Sequence, residues 1–186
     1  MKHIFLNLKR FDITPEHGGV NRLAEPAAWG EAVTSSIKDV AAHHADAEFA
    51  AFLPEAHLIG AVAGAAGSPL GVGCQGVHTA DTAPGGNFGA FTTLRTGNAV
   101  AQLGCTWALI GHCEERNDKA GILAEAGVTD TAAVNRLLNQ EIRLAVEQGR
   151  GIYANIKKAI HYLLSCNIGE IITIFFATVL DFAQMP

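Results

Sequence analysis

Short apolar runs and amphipathic stretches alternate along the first 149 residues of the chain. The apolar runs predict four buried parallel strands, over residues 3–9, 49–53, 70–77 and 107–111. Stretches with helical character predict four helices, over residues 25–43, 55–66, 96–103 and 130–148. Four strand-then-helix units in this order are typical of an α/β fold with a parallel sheet.

Two of these helices have a distinct apolar face. In the first, the face consists of Trp29, Val33, Ile37 and Val40. In the last, it consists of Val134, Leu137, Leu138, Ile142 and Val146. We expect both faces to pack against the sheet.

The pattern changes after Gly149, where a fifth strand is expected within a few residues. Isoleucine and leucine instead recur every fourth residue, at Ile152, Ile156, Ile160 and Leu164. Residues 159–180 contain one carboxylate, Glu170, and are long enough to cross a bilayer as a helix. Lys157 and Lys158 precede this segment, as in many cytoplasmic flanks. A buried helix in a soluble core or oligomer is the alternative, because the charge-free run 171–180 is short.

Composition limits the classes of protein to which the chain can belong. The 186 residues are 49% hydrophobic and 17% charged, which allows a sizeable core, although a complete (β/α)8 barrel typically needs about 250 residues. Residues 1–149 carry a net charge of −6 and residues 150–186 a net charge of +1. The basic residues are scattered, which excludes a nucleic-acid footprint. We expect a cytoplasmic chain without a signal peptide, with free thiols, and with no metal and no cofactor.

Two strand ends carry candidate chemistry. His112 follows a predicted strand and precedes an acidic helix start. The carboxyl ends of parallel strands form ligand sites, and the positive end of a helix favours a neutral imidazole that can donate to a carbonyl. A purely structural histidine is the alternative. Asn7 and Lys9 alternate at the end of the first strand, where an amide and an ammonium group would suit a phosphorylated substrate. A solvated strand end would also explain them.

Taken together, these motifs resemble the triosephosphate isomerase family over residues 3–149. The matching positions are Asn7 and Lys9, Gln75, Gly89–Thr92 and Gly111–Glu114. The resemblance implies a partial (β/α)8 barrel of about four β/α units over residues 1–149, followed by a long apolar C-terminal helix over residues 150–186.

The same resemblance implies isomerisation between an aldose phosphate and a ketose phosphate through an enediolate. Lys9 would bind the phosphate and steady the developing charge, and Asn7 would orient the site. His112 would be the neutral electrophile, and Glu114 would support Lys9. The implied partner is a triose or tetrose phosphate.

The chain departs from the family pattern in ways that indicate a divergent branch, with a four-carbon ketose phosphate as one candidate substrate. Cys113 replaces the usual serine, and Glu115-Arg116 replaces a pair of arginines. The family's general base and closing loop lie in the second half of the barrel, which has no counterpart in this sequence. We therefore expect weak or no turnover. Open sheet edges favour self-association, so a homo-oligomer is expected.

The tail resembles a different family. Residues 149–182 are similar to the fifth transmembrane helix of P-type cation-transporting ATPases and the stalk before it, which implies that Asn167 and Glu170 are cation ligands. One helix provides too few oxygen ligands for calcium transport. The alternative function is thus a fusion fragment, or a segment anchored in a membrane through residues 159–180, without catalytic activity.

Overall fold

The computed structural model describes residues 2–148. In chain order the strands and α-helices are β1 (Lys2–Asn7), α1 (Trp29–His43), β2 (Ala47–Leu53), α2 (Leu58–Ala65), β3 (Gly71–Cys74), α3 (Gly97–Gln102), β4 (Trp107–Ala108), α4 (Cys113–Glu125) and α5 (Ala132–Gln148). The sheet has the order β1-β2-β3-β4, and all three pairings are parallel. The predicted α/β class and four-stranded parallel sheet are confirmed.

The register of the sheet places the carboxyl ends of the strands at one edge. Six residue pairs join β1 to β2, from Lys2 opposite Ala47 to Asn7 opposite Phe52. The pairing of β2 with β3 ends with Leu53 opposite Cys74. Because parallel strands all end on the same side, the turns that follow Asn7 and the last residues of β2, β3 and β4 surround a common mouth.

The sheet is strongly curved. Four strands in a flat sheet would separate β1 from β4 by about 14 Å, since neighbours lie about 4.8 Å apart. The rings of Phe5 on β1 and Trp107 on β4 are nevertheless only 5.2 Å apart between centroids. Both rings belong to a buried cluster with Phe52 and Leu109 on the concave face. Curvature of this kind is that of a barrel wall.

The convex face carries the larger core, where the helices pack. Trp29 and Val33 of α1 are buried there with Leu58 of α2. The predicted face of α1 is only partly correct, because Val40 is 49% exposed and the neighbouring Ala41 is buried. In α5 most of the predicted stripe packs as expected: Leu138 is buried, and Val134, Ile142 and Val146 lie against the same core, whereas Leu137 is half-buried outside it.

Some boundaries differ from the predicted ones. A short 3-10 helix, Pro26–Ala28, precedes α1, and β1 ends at Asn7, so that Lys9 lies in the turn after the strand. Hydrophobic periodicity does not predict the extent of helix α4, of which the sequence indicates only the acidic start. Its only buried residue is Glu115, so it has no apolar stripe for a periodicity argument to detect.

The predicted apolar helix over residues 150–186, and its membrane interpretation over 159–180, lie outside the described residues. Within residues 2–148, no helix combines the length and the apolar character needed to cross a membrane. The division of the chain at residue 149 stays a prediction.

Candidate active site

An open cleft of about 780 Å³ lies at the mouth of the sheet. Its lining includes three residues that the sequence singles out, Lys9, His112 and Glu114. Gln75 and Arg95, which follow β3, also line it. The structure therefore brings together residues that are about 100 positions apart in the sequence.

Lys9 reaches this cleft through an unusual backbone turn. Its φ angle is 42°, in the left-handed region that few non-glycine residues adopt. Asn7 Oδ1 accepts a hydrogen bond from the Lys9 backbone N–H at 3.0 Å, which stabilises the turn. The Lys9 ammonium then lies 2.6 Å from Glu114 Oε1. Asn7 thus positions Lys9 through the backbone.

Gln75 fixes Asn7 in turn. Its Nε2 donates to Asn7 Oδ1 at 2.9 Å and to the carbonyl oxygen of Phe52 at 3.0 Å. One side-chain amide therefore connects the ends of β1, β2 and β3. The Asn7 amide has little freedom to rotate, because its oxygen already accepts two hydrogen bonds.

His112 caps the beginning of α4. It has an extended backbone with φ −66° and ψ 165°, and its side chain is buried. Its Nδ1 lies 3.3 Å from Glu114 Oε2. An ionised carboxylate only accepts hydrogen bonds, so this contact requires the proton to be on Nδ1. In the neutral ring, Nε2 is then unprotonated and can only accept a hydrogen bond.

Glu114 is the common partner of the site. Partial burial would raise its pKa, but hydrogen bonds from Cys113, Lys9, the backbone and His112 outweigh that effect and lower the pKa to about 2. The Cys113 thiol donates to Glu114 Oε2 at 2.7 Å. That hydrogen bond raises the pKa of Cys113, with a smaller contribution from burial. Glu114 is thus a carboxylate and Cys113 a thiol at neutral pH.

Arg95 belongs to the site although the sequence argument did not single it out. Its Nε donates to the Gly76 carbonyl at 2.6 Å, and its Nη2 donates to the Gln75 carbonyl at 2.7 Å. These contacts fix the backbone turn after β3. The only sequence signal was its position between the Gly-Ala-Phe-Thr segment and the third helix.

A second cluster of charged side chains surrounds Glu115, close in sequence to His112. Glu115 is buried; it accepts a hydrogen bond from the Gly111 backbone N–H and forms an ion pair with Lys119 at 2.7 Å. Lys119 also pairs with Glu141 of α5 at 3.0 Å. Burial, and next the nearby charge of Glu115, raise the pKa of Glu141 to about 7. The i,i+4 spacing of Glu115 and Lys119 was the available sequence signal.

The buried side chain of Asp12 stabilises the loop between β1 and α1. Asp12 Oδ2 is 2.8 Å from Arg10 Nη2 and 3.0 Å from His57 Nε2. Asn21 Nδ2 donates to the Asp12 carbonyl at 3.0 Å. No sequence motif marks this cluster, because the partner of the loop residues, His57, lies 45 residues from Asp12, in the short 3-10 helix Glu55–His57 that precedes α2.

The described residues contain no group of three or more histidine, cysteine, aspartate or glutamate side chains placed to hold a metal ion. Among the charged side chains that line the cleft, the Lys9 ammonium group and the His112 imidazole both contact the low-pKa carboxylate of Glu114.

Comparison with known proteins connects this geometry to a family. The family model described as triosephosphate isomerase matches residues 25–145, about two thirds of the chain. A solved triosephosphate isomerase from Bartonella henselae superposes with a TM-score of 0.51 and 18% sequence identity. The superposition covers 80% of this chain and 48% of that one. At this identity the likeness shows the fold, and this chain spans about half of the solved protein.

A second set of matches is short. Calcium-transporting ATPase 1 of Bacillus cereus is 67% identical over 39 residues, and the calcium-transporting ATPase of Bacillus subtilis is 51% identical over 39 residues. Each match covers 21% of this chain and 4% of the ATPase. These lengths agree with the resemblance of residues 149–182 to an ATPase segment.

Proposed function

Because the chain belongs to the triosephosphate isomerase family, we propose that its cleft binds a phosphorylated three- or four-carbon sugar and that it turns over aldose and ketose phosphates weakly or not at all. The contact of Lys9 with Glu114, and of Glu114 with His112, carries this proposal. A cation and an imidazole at the mouth of a parallel sheet suit an anionic carbonyl compound.

Lys9 is the proposed phosphate-binding group. Asn7 fixes the Lys9 backbone and Glu114 contacts the ammonium group, so part of the side-chain entropy is already lost before binding. A phosphate dianion would compete with Glu114 for this cation. His112 is the proposed electrophile towards the sugar carbonyl.

The electrophilic role needs a proton on Nε2 of His112. In the present arrangement Nδ1 faces Glu114 Oε2 at 3.3 Å, which favours the opposite neutral tautomer. A ligand that draws Glu114 away from His112 would release Nδ1 and allow the proton to be on Nε2. We propose that phosphate binding at Lys9 and the tautomer of His112 are coupled through Glu114.

The proposal of weak turnover rests on the proton acceptor that the reaction needs. The family's general base lies in the half of the barrel that has no counterpart among these 186 residues. General base catalysis alone contributes about 10² to 10⁴ in rate. The proposed substrate binding uses Lys9 and His112, which both line the cleft.

Calorimetric titration of the full chain with dihydroxyacetone phosphate and with a four-carbon ketose phosphate tests the proposal. We expect saturable binding that Lys9→Met weakens at least tenfold, since a charged partner of phosphate contributes about 1.5–3 kcal/mol. Lys2→Met is the matched control. Lys2 lies at the opposite end of β1 and its side chain is 79% exposed, so its removal should leave affinity unchanged.

Two results would contradict the proposal. Equal loss of affinity in Lys9→Met and Lys2→Met would show only a general charge effect. Interconversion of aldose and ketose phosphates at the rate of a complete isomerase would disprove weak turnover. NMR spectra measure that rate directly through proton exchange of the substrate.

A second function is favoured by the ATPase matches. We propose as the alternative that residues 150–186 are a membrane-anchored or fused segment and that the chain has no catalytic activity. Flotation of the full chain with lipid vesicles tests this, compared with a variant carrying Ile174→Lys and Val179→Lys. Loss of vesicle binding in the variant supports the anchor, and equal flotation contradicts it. The sequence of the encoding DNA across residues 147–150 tests the fusion.

A further inference from the structure

The peptide groups of Gly111 are held from both sides by side chains of α4. Its backbone N–H donates to Glu115 Oε2, and its carbonyl accepts a hydrogen bond from Arg116 Nε at 2.8 Å. Gly111 has a φ angle of 82°, in the left-handed region, so the chain turns directly before His112. The side chains of Glu115 and Arg116 thus fix the turn that orients His112.

Glu115 is itself fixed at both oxygens. Oε2 accepts from Gly111, and Oε1 is 2.7 Å from Lys119, which also pairs with Glu141 of α5. The carboxylate is 8% exposed. It also fills the space beside Gly76, where a Cβ atom would lie 2.5 Å from Glu115 Oε1. The turn after β3, the end of β4, and helices α4 and α5 therefore meet at one carboxylate.

We propose that Glu115 is a positioning residue for His112, acting through the backbone of Gly111 and supported by Lys119 and Glu141. This inference rests on the proposed function, because the role of His112 is part of it. Glu115 stands where the family commonly has an arginine, a group that could not accept a hydrogen bond from Gly111. The substitution thus changes how the histidine turn is held.

The position of Glu115 in α4 explains why a carboxylate suits this role. A glutamate at the third helical residue commonly reaches back to the backbone N–H of the capping residue. Here Glu115 reaches one residue further, to Gly111, and leaves the capping residue His112 to face the cleft. The interaction orders the turn without using the imidazole.

The imidazole NMR signals of His112 test the inference in the full chain labelled with ¹⁵N-histidine and without ligand. We expect Glu115→Met, which preserves bulk but accepts no hydrogen bond from Gly111, to displace the His112 ring resonances and their pH titration more than those of the remote His3 and His43. Glu115→Gln retains an acceptor oxygen and should restore most of the wild-type signature. His112→Asn assigns the signals.

Glu125→Met is the matched control, because Glu125 is exposed at the end of the same helix. Unchanged His112 signals in a folded Glu115→Met chain would overturn the inference. If that variant does not fold, Lys119→Met decides, since it removes one support of Glu115 and should displace the same signals less; no displacement would again overturn the inference. Failure of the wild type to bind a sugar phosphate would contradict only the proposed function.

Discussion

The ammonium group of Lys9 lies 2.6 Å from Glu114 Oε1, although the two residues follow the two outermost strands of the four-stranded sheet. Such a contact is possible only because the sheet curves like a barrel wall, which brings the ends of β1 and β4 towards each other. The curvature that packs Phe5 against Trp107 on the concave face therefore also assembles the ion pair at the mouth.

Replacing Glu114 with glutamine should tighten phosphate binding. Glu114 neutralises Lys9 and competes with an incoming dianion, and both side chains are about 40% exposed, so solvent screens the pair. We expect inorganic phosphate to bind about threefold more tightly to Glu114→Gln, in keeping with the small energies of exposed ion pairs. Calorimetry measures this, with Glu125→Gln as a control that should leave affinity unchanged. Weaker binding in Glu114→Gln would contradict the competition.

Glu114 is named from the family resemblance, whereas three other residues of the candidate site, Asn7, Lys9 and His112, could be found from the sequence for a physical reason. Each lies within a few residues of the end of a predicted strand, and parallel strands end on the same side of a sheet. Their contacts could not be predicted in detail. The left-handed turn at Lys9, for example, depends on an amide of Asn7 that is held by Gln75, the residue after β3.

Other parts of the structure have no local signal. Helix α4 is largely exposed, so hydrophobic periodicity does not detect it. The charges of Lys119 and Glu141 look like ordinary surface charges in the sequence, yet Glu141 is 3% exposed. The burial of Glu141 and the partial burial of Lys119 are a consequence of the packing of α4 against α5, which no single stretch of sequence encodes.

Gln75→Glu should destabilise the chain more than Gln75→Met at neutral pH. The Gln75 amide donates to two acceptors, Asn7 Oδ1 and the Phe52 carbonyl. A carboxylate in its place has no hydrogen to donate, and its oxygens would repel both acceptors. The charged form should cost about 2 kcal/mol of unfolding free energy beyond the loss of the hydrogen bonds. Urea unfolding measures the difference, with the exposed Gln102→Glu as the control. Equal stability of the two Gln75 variants would disprove this reading of the amide.

Replacing Glu141 with glutamine should stabilise the chain above neutral pH. The folded pKa of about 7 lies above the ordinary value of 4.5, so between these values the folded chain keeps a proton that the unfolded chain has lost. Stability contributed by this group therefore falls as pH rises from about 4.5 to 7. Glu141→Gln removes this fall, and we expect a gain on the order of 2 kcal/mol at pH 8 and little change at pH 4.5.

Urea unfolding of the full chain at the two pH values checks that prediction. Glu147→Gln, at an exposed position of α5, is the matched control and should give the same difference from wild type at both pH values. A gain that is equal at pH 4.5 and pH 8 would show that Glu141 does not titrate in this range.

A comparison of two glycines separates backbone strain from crowding at Glu115. Gly76 and Gly85 both have positive φ angles, 109° and 80°, so alanine is strained at either position. A Cβ atom at Gly85 would meet nothing within 4 Å, whereas at Gly76 it would lie 2.5 Å from Glu115 Oε1 and 3.2 Å from Arg95 Nη2. We expect Gly85→Ala to cost about 1 kcal/mol, the penalty of the left-handed backbone alone.

Gly76→Ala should cost about 2–3 kcal/mol, because it must also displace a buried carboxylate that is bonded at both oxygens. Its effect should depend on Glu115. In a Glu115→Ala background the cost of Gly76→Ala should fall towards that of Gly85→Ala, since the atom at 2.5 Å is gone and Arg95 Nη2, at 3.2 Å, remains. A double-mutant cycle of unfolding free energies measures this coupling. Additive costs would show that Gly76 is required only for its backbone angle and that Glu115 does not fill the space beside it.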